Sequence, residues 1–200
     1  SRIFNRLNAN WFGWIWSCRI MPTTTSFPTA NDDSFGQADN WQADDGTTGR
    51  LRQSQTYIFS SFSGLSIPAG STILGIEVLM EGYASTTTLD DPLVFVSNDN
   101  GSSFSDGKDA STEPWSTDSS AFQVEIAGGA ADTWGLSWNA TTAAAIQVKF
   151  NIPTQATAIF LDFTQVRITY EEVLSTYTGE PNLISSDGTI ILKAGSITIK

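Results

Sequence analysis

The sequence predicts an all-β fold: an antiparallel β-sandwich, jelly-roll-like, with an N-terminal arm and a short C-terminal β-repeat tail. Three observations predict it. Several short runs alternate apolar with polar residues, the period of a half-buried strand. Clusters of turn-forming residues separate these runs about every ten residues. Only "NATTAAA" (139–145) has the composition of a helical turn, with Asn139 placed to cap it.

Taken in order, "TYIFSSF" (56–62) opens the set of strands. "GIEVLMEG" (75–82) alternates, with Ile76, Val78 and Met80 against Glu77 and Glu81. "PLVFVS" (92–97) is a continuous apolar run, as expected of a more central strand, and "AFQVEI" (121–126) follows. "AIQVKFNI" (145–152) places Ile146, Val148, Phe150 and Ile152 on one face. The run "TAIFLDFTQVRITYEEV" (157–173) changes phase: Ile159, Leu161 and Phe163 are odd, whereas Val166, Ile168 and Tyr170 are even. A one-residue slip would turn one half outward. Either a β-bulge near Thr164 and Gln165 repairs it, or Asp162 is buried against a backbone or hydroxyl group. Turn chemistry lies between, in "IPAGS" (67–71), "SNDNGS" (97–102) and "AGGAAD" (127–132).

Three pieces differ in composition. Residues 1–20 are basic and aromatic, residues 21–173 form the acidic β-sandwich domain, and residues 174–200 form the tail. "MPTTTSFPTANDD" reads as a natural start at Met21, so the first twenty residues are either upstream read-through or an assembly arm. In the second case Trp11, Phe12, Trp14 and Trp16 would insert into a neighbouring subunit. In the tail, "DGTIILK" (187–193) and "AGSITIK" (194–200) share a pattern. They look like the first rungs of a repeated β-structure.

Composition excludes several functions. The chain of 200 residues is 40% hydrophobic, enough for one well-buried domain. Net charge is −11, and beyond residue 20 it holds 7 basic against 21 acidic residues. An acidic body repels phosphates, so no nucleic-acid partner is expected. The absence of histidine removes the commonest general base and most zinc sites. A single cysteine, Cys18, allows no intrachain disulfide. No run reaches the length of a membrane span. A low charged fraction, 16%, with hydroxyl-rich surfaces leans toward a virion or extracellular location.

Candidate sites are few. "SNDNGSSF" (97–104) fails as an EF-hand: with Gly101 at position six, Val96 takes position one and Gly107 position twelve. A calcium site built from loops is the one candidate cofactor, with Asp106 and Asp109 as its acids. The pairs Asp32-Asp33, Asp44-Asp45, Asp90-Asp91 and Glu171-Glu172 read as solvated charges, because neighbours on a strand face opposite ways. Glu77 and Glu81 share a face but lie about 13 Å apart, beyond glycosidase spacing. No catalytic residue is assigned. Trp134 and Trp138 have one parity, so an extended strand puts them on one face, as a sugar platform if exposed and as core if buried. Trp41 and Trp115, in polar loops, carry the same two readings.

Two resemblances follow from these motifs. "SNDNGSSF" is similar to the Asp-box hairpin of sialidase propellers, which implies that Asp99 caps the turn, Gly101 supplies a positive φ and Phe104 packs beneath. The turn is structural and remote from the sialidase active site. Across residues 28–173, "ADNW" (38–41), "IPAGSTILGIEV" (67–78), "GGAADTWGLSW" (128–138) and "LDFTQVRITY" (161–170) occur in an order that resembles a β-sandwich domain of tailed-phage and prophage structural proteins. That resemblance implies a non-enzymatic virion role, in capsid decoration or as a tail or fibre module. The expected partners are other virion or filament subunits, in a homo-oligomer. The alternative is a carbohydrate-binding module that meets a surface glycan through exposed tryptophans.

Overall fold

The computed structural model describes residues 21–31, 38–52, 54–86, 92–109, 115–153 and 158–172, and two further strands in the tail. The aromatic arm residues Trp11, Phe12, Trp14 and Trp16 lie outside the described residues.

Two antiparallel sheets pack face to face. In chain order the strands are β1 (Thr23–Ser26), β2 (Ala30–Asn31), β3 (Gly49–Leu51), β4 (Thr56–Ser60), β5 (Thr72–Ala84), β6 (Leu93–Ser97), β7 (Lys108–Asp109), β8 (Gln123–Gly129), β9 (Gln147–Asn151) and β10 (Ile159–Glu171). The first sheet runs β1-β10-β5-β8, with β3 also on β10, and the second runs β2-β4-β9-β6-β7. Four pairings nest: β1 with β10, β4 with β9, β5 with β8 and β6 with β7. This is the pairing of one long hairpin folded over so that alternate strands fall in opposite sheets. In the tail, β11 (Leu183–Ser186) pairs with β12 (Thr189–Leu192). The strand β12 thus lies within "DGTIILK" and pairs with the segment before it, and "AGSITIK" lies outside the described residues. No helix among the described residues is long and apolar enough to cross a membrane.

The inner faces follow the alternation. Ile146, Val148, Phe150 and Ile152 are all buried, as are Ile76, Val78 and Met80. The continuous run of β6 also alternates: Val94 and Val96 point inward, while Leu93 is exposed and Phe95 half-buried. The outer Phe95 is covered locally, since the Lys149 ammonium lies 4.2 Å from its ring centroid. The helical turn α1 (Ala140–Ala144) starts as expected. The Asn139 carboxamide accepts from the Thr142 N–H at 2.9 Å, and the Thr142 hydroxyl accepts from the Asn139 N–H.

The phase change in β10 is repaired by a bulge, two residues earlier than Thr164 and Gln165. Leu161 pairs with Gly82 and Phe163 with Glu81, leaving Asp162 as the extra residue. Asp162 is also buried, with the N–H groups of Gly46 and Asp45 directed at its carboxylate. Bulge and buried aspartate, read from the sequence as alternatives, are one feature. β10 carries β5 along one flank. On the other it carries β3 and β1, with Gln42 bridging to Phe163 between them. The segment 42–48 is thereby held against the bulge.

Candidate functional site

The turn at 97–104 is a self-contained polar knot. Asn100 and Gly101 both have positive φ, 59° and 84°. Asp99 accepts from the Ser97 hydroxyl at 2.7 Å, the Ser103 N–H at 2.9 Å and the Ser103 hydroxyl at 2.6 Å. The Gly101 N–H donates back to Ser97 Oγ at 2.8 Å. Phe104 is half-buried, with the Lys149 ammonium 4.2 Å from its ring centroid. The Ser103 hydroxyl, then its N–H, then the Ser97 hydroxyl hold the Asp99 carboxyl down from its ordinary 3.8 to about 2. A folded-state value below the unfolded one adds stability that is present above 3.8 and lost as pH falls toward about 2. Asp99→Ala is therefore expected to lower the melting temperature at neutral pH, with the gap to wild type closing across that window. A gap independent of pH would show that the charge does not hold the turn.

The four tryptophans are not brought together as a platform. Trp41, Trp115 and Trp134 are buried and Trp138 is half-buried against the core. "TWGLSW" is not an extended strand: Trp134 has φ 59° and Gly135 φ 69°. Parity on a strand therefore does not apply, and the one-face geometry expected for Trp134 and Trp138 is corrected. The Trp134 indole N–H donates to the Ile76 carbonyl at 2.9 Å, and the Trp138 indole N–H to the Thr133 carbonyl at 2.9 Å. Asp132 accepts from the Trp134 backbone N–H at 2.8 Å and forms an ion pair with Lys108, whose ammonium lies over the Trp134 ring. The segment "GGAADTWG" thus pins the end of β8 to β5.

β8 is reversed relative to the usual amphipathic strand. Gln123 and Glu125 point inward and hydrogen-bond to each other, and the Ser116 N–H donates to Gln123 Oε1 at 2.7 Å. Their apolar neighbours point out, leaving Val124 45% and Ile126 41% exposed. Beside them on the same outer face, Tyr83 stacks on Phe160 at 4.8 Å and on Phe122 at 5.7 Å. Rings stacked this way cover one another's faces, so they offer a sugar little open ring. Glu77, on the same face, is neutralised by a bidentate contact from Arg167 at 2.6 and 2.7 Å. Among the described residues β8 pairs only with β5, so the apolar face borders the end of the sheet.

A group of acids gathers at the β10 bulge. One carboxylate oxygen each from Asp44, Glu81 and Asp162 lies within 4.8 Å of the others. Asp44 is exposed, Glu81 half-buried and Asp162 1% exposed. Burial, then the Asp44 and Asp162 charges, push the Glu81 carboxyl above its ordinary range. Burial also raises Asp162, against the lowering effect of the Gly46 and Asp45 N–H groups. Asp106 and Asp109 are exposed and form no such group among the described residues. Local spacing does not reveal the cluster, because its three acids come from a loop and two strands. The readable signal was an aspartate inside an apolar strand run.

No protein-family model, no curated protein and no solved structure matches the chain significantly.

Proposed function

We infer that this chain is a non-enzymatic structural module of a virion, in capsid decoration or in a tail or fibre, acting through contacts with copies of itself and with other subunits. The reversed outer face of β8 carries the reading. Val124 and Ile126 stand exposed beside an aromatic stack, on a strand that ends its sheet among the described residues. Exposed apolar side chains cost a monomer, whereas a neighbour that covers them buries apolar surface and extends the sheet by strand addition. At its Ile126 end the face also carries little unpaired charge. A chain of net charge −11 repels its copies. Around Ile126, however, the neighbouring strand offers Leu79 and a Glu77 paired with Arg167, whereas Glu81 lies opposite Val124, toward the acidic bulge. The nested strand pairing supports a jelly roll, a rigid block whose outer faces are free for such contacts. The resemblance of residues 28–173 to phage structural sandwiches supports the virion setting.

Sedimentation velocity over a concentration series tests this. The wild-type chain is expected to self-associate. Val124→Lys with Ile126→Lys is expected to shift it to monomer while leaving the fold intact, because both side chains are exposed and lysine on an edge strand blocks pairing. A wild-type chain that stays monomeric at high concentration, or a double variant that assembles equally well, would sink the reading.

A further inference from the structure

We propose that Asp44, Glu81 and Asp162 bind a calcium ion at the β10 bulge. Two independent observations carry it. The first is the convergence of three carboxylates, with one oxygen from each within 4.8 Å of the others. Three oxygens within 4.8 Å of one another lie within about 2.8 Å of a common point, close to the calcium–oxygen distance of about 2.3–2.6 Å, so a slight side-chain adjustment lets one ion reach all three. The second is an orphan. Asp162 Oδ1 is fully buried without a hydrogen-bond partner, although the carboxylate lies beneath the N–H groups of Gly46 and Asp45. A buried anionic oxygen left unmet is costly. Glu81 and Asp44, being acceptors themselves when ionised, only worsen it.

The donor set selects the ion. It is all oxygen, with no nitrogen or sulfur, which suits a hard cation rather than zinc or copper. Magnesium needs near-ideal octahedral geometry at about 2.0–2.1 Å and strips its waters reluctantly. A loose cage of one loop and two strand carboxylates, with Asp44 open to solvent, suits the longer bonds and variable coordination of calcium. The raised Glu81 and Asp162 carboxyls agree, because crowded like charges are relieved by a divalent cation as well as by protons.

The test uses the full chain, freed of metal with a chelator and dialysed, at neutral pH and constant ionic strength. Calcium, magnesium and manganese chlorides are each titrated by calorimetry, and melting temperatures are recorded with and without each ion. Calcium is expected to bind with one ion per chain, a Kd on the order of 10⁻⁴ M or tighter, and a melting temperature raised by several degrees. Asp44→Asn, whose side chain is exposed, is expected to melt at or above wild type in chelator, since it too removes a repelling charge, and to lose about ten-fold or more in affinity. Glu81→Gln is expected to lose the calcium response and to melt above wild type in chelator, because it removes a repelled charge. Asp106→Asn with Asp109→Asn should bind as wild type does. An Ile126→Lys chain, altered on the assembly face opposite Leu79 and not opposite Glu81, should still bind calcium, which separates this proposal from the assembly reading. No saturable calcium binding, binding untouched by Asp44→Asn and Glu81→Gln, or a response to magnesium or manganese with calcium inert would overturn it.

Discussion

Replacing Trp41 with alanine is expected to destabilise the protein by about 3–5 kcal/mol. The indole is fully buried between the two sheets. It meets Tyr57 of β4 edge-on at 5.3 Å and Phe59 at 5.6 Å, and its other neighbour is Gly49 of β3, where an added Cβ would fall 1.8 Å from Nε1. Removing it empties a space that aromatic neighbours on one sheet and main chain on the other cannot readily refill. The loss should propagate. Trp41 is followed directly by Gln42, which bridges to Phe163, and by the segment that brings Asp44, Asp45 and Gly46 to Asp162. Trp41→Phe is expected to recover most of the stability, because the buried Nε1 has no hydrogen-bond partner and phenylalanine removes that unmet donor. Denaturant unfolding of the three proteins checks this. A Trp41→Ala midpoint equal to wild type would refute the placement of Trp41 in the core.

That role is not readable from "ADNW". A tryptophan among polar residues has the same sequence signature whether it serves a glycan or a core, and only the sheet contacts decide. Where alternation meets a two-sided environment, by contrast, periodicity carries through to the structure: in β9 the expected inner residues are the buried ones, and in β5 they are buried too, although Glu77 and Leu79 on the other face are also covered. β8 shows the limit of the method. "AFQVEI" alternates cleanly, and hydrophobic burial alone would turn Val124 and Ile126 inward. The strand takes the opposite phase because Gln123 and Glu125 find partners inside, in each other and in the Ser116 N–H. Alternation gives the two faces of a strand but does not say which faces the core when the polar face can be satisfied by hydrogen bonds. The nested pairing was legible only as a class, since strand order is set by contacts far apart in the chain.

The β10 bulge leads to the second large effect. Gly82→Ala is expected to cost about 3 kcal/mol or more, the upper end of overpacking, because the obstacle is main chain. A Cβ on Gly82 would lie 2.0 Å from the Phe160 carbonyl oxygen and 3.0 Å from the Leu161 Cα. These atoms belong to the residues just before the register shift, where Leu161 pairs with Gly82 and Phe163 with Glu81. The bulge therefore depends on a residue without a side chain on the partner strand. Relief of the clash requires β10 to move, and β10 has little room to do so. Straightening it would put either Ile159 and Leu161 or Val166 and Ile168 on the wrong face, although all four are buried. Gly129→Ala in the neighbouring β8 is the matched control. Its Cβ would meet nothing closer than Asp132 at 3.8 Å, and the substitution should change stability by well under about 1 kcal/mol. Equal unfolding midpoints for the two alanine variants would show that close approach at Gly82 does not shape the bulge. A large loss at Gly82 alone would tie the phase change of β10, and with it the position of Asp162 beside Glu81, to one glycine on the facing strand.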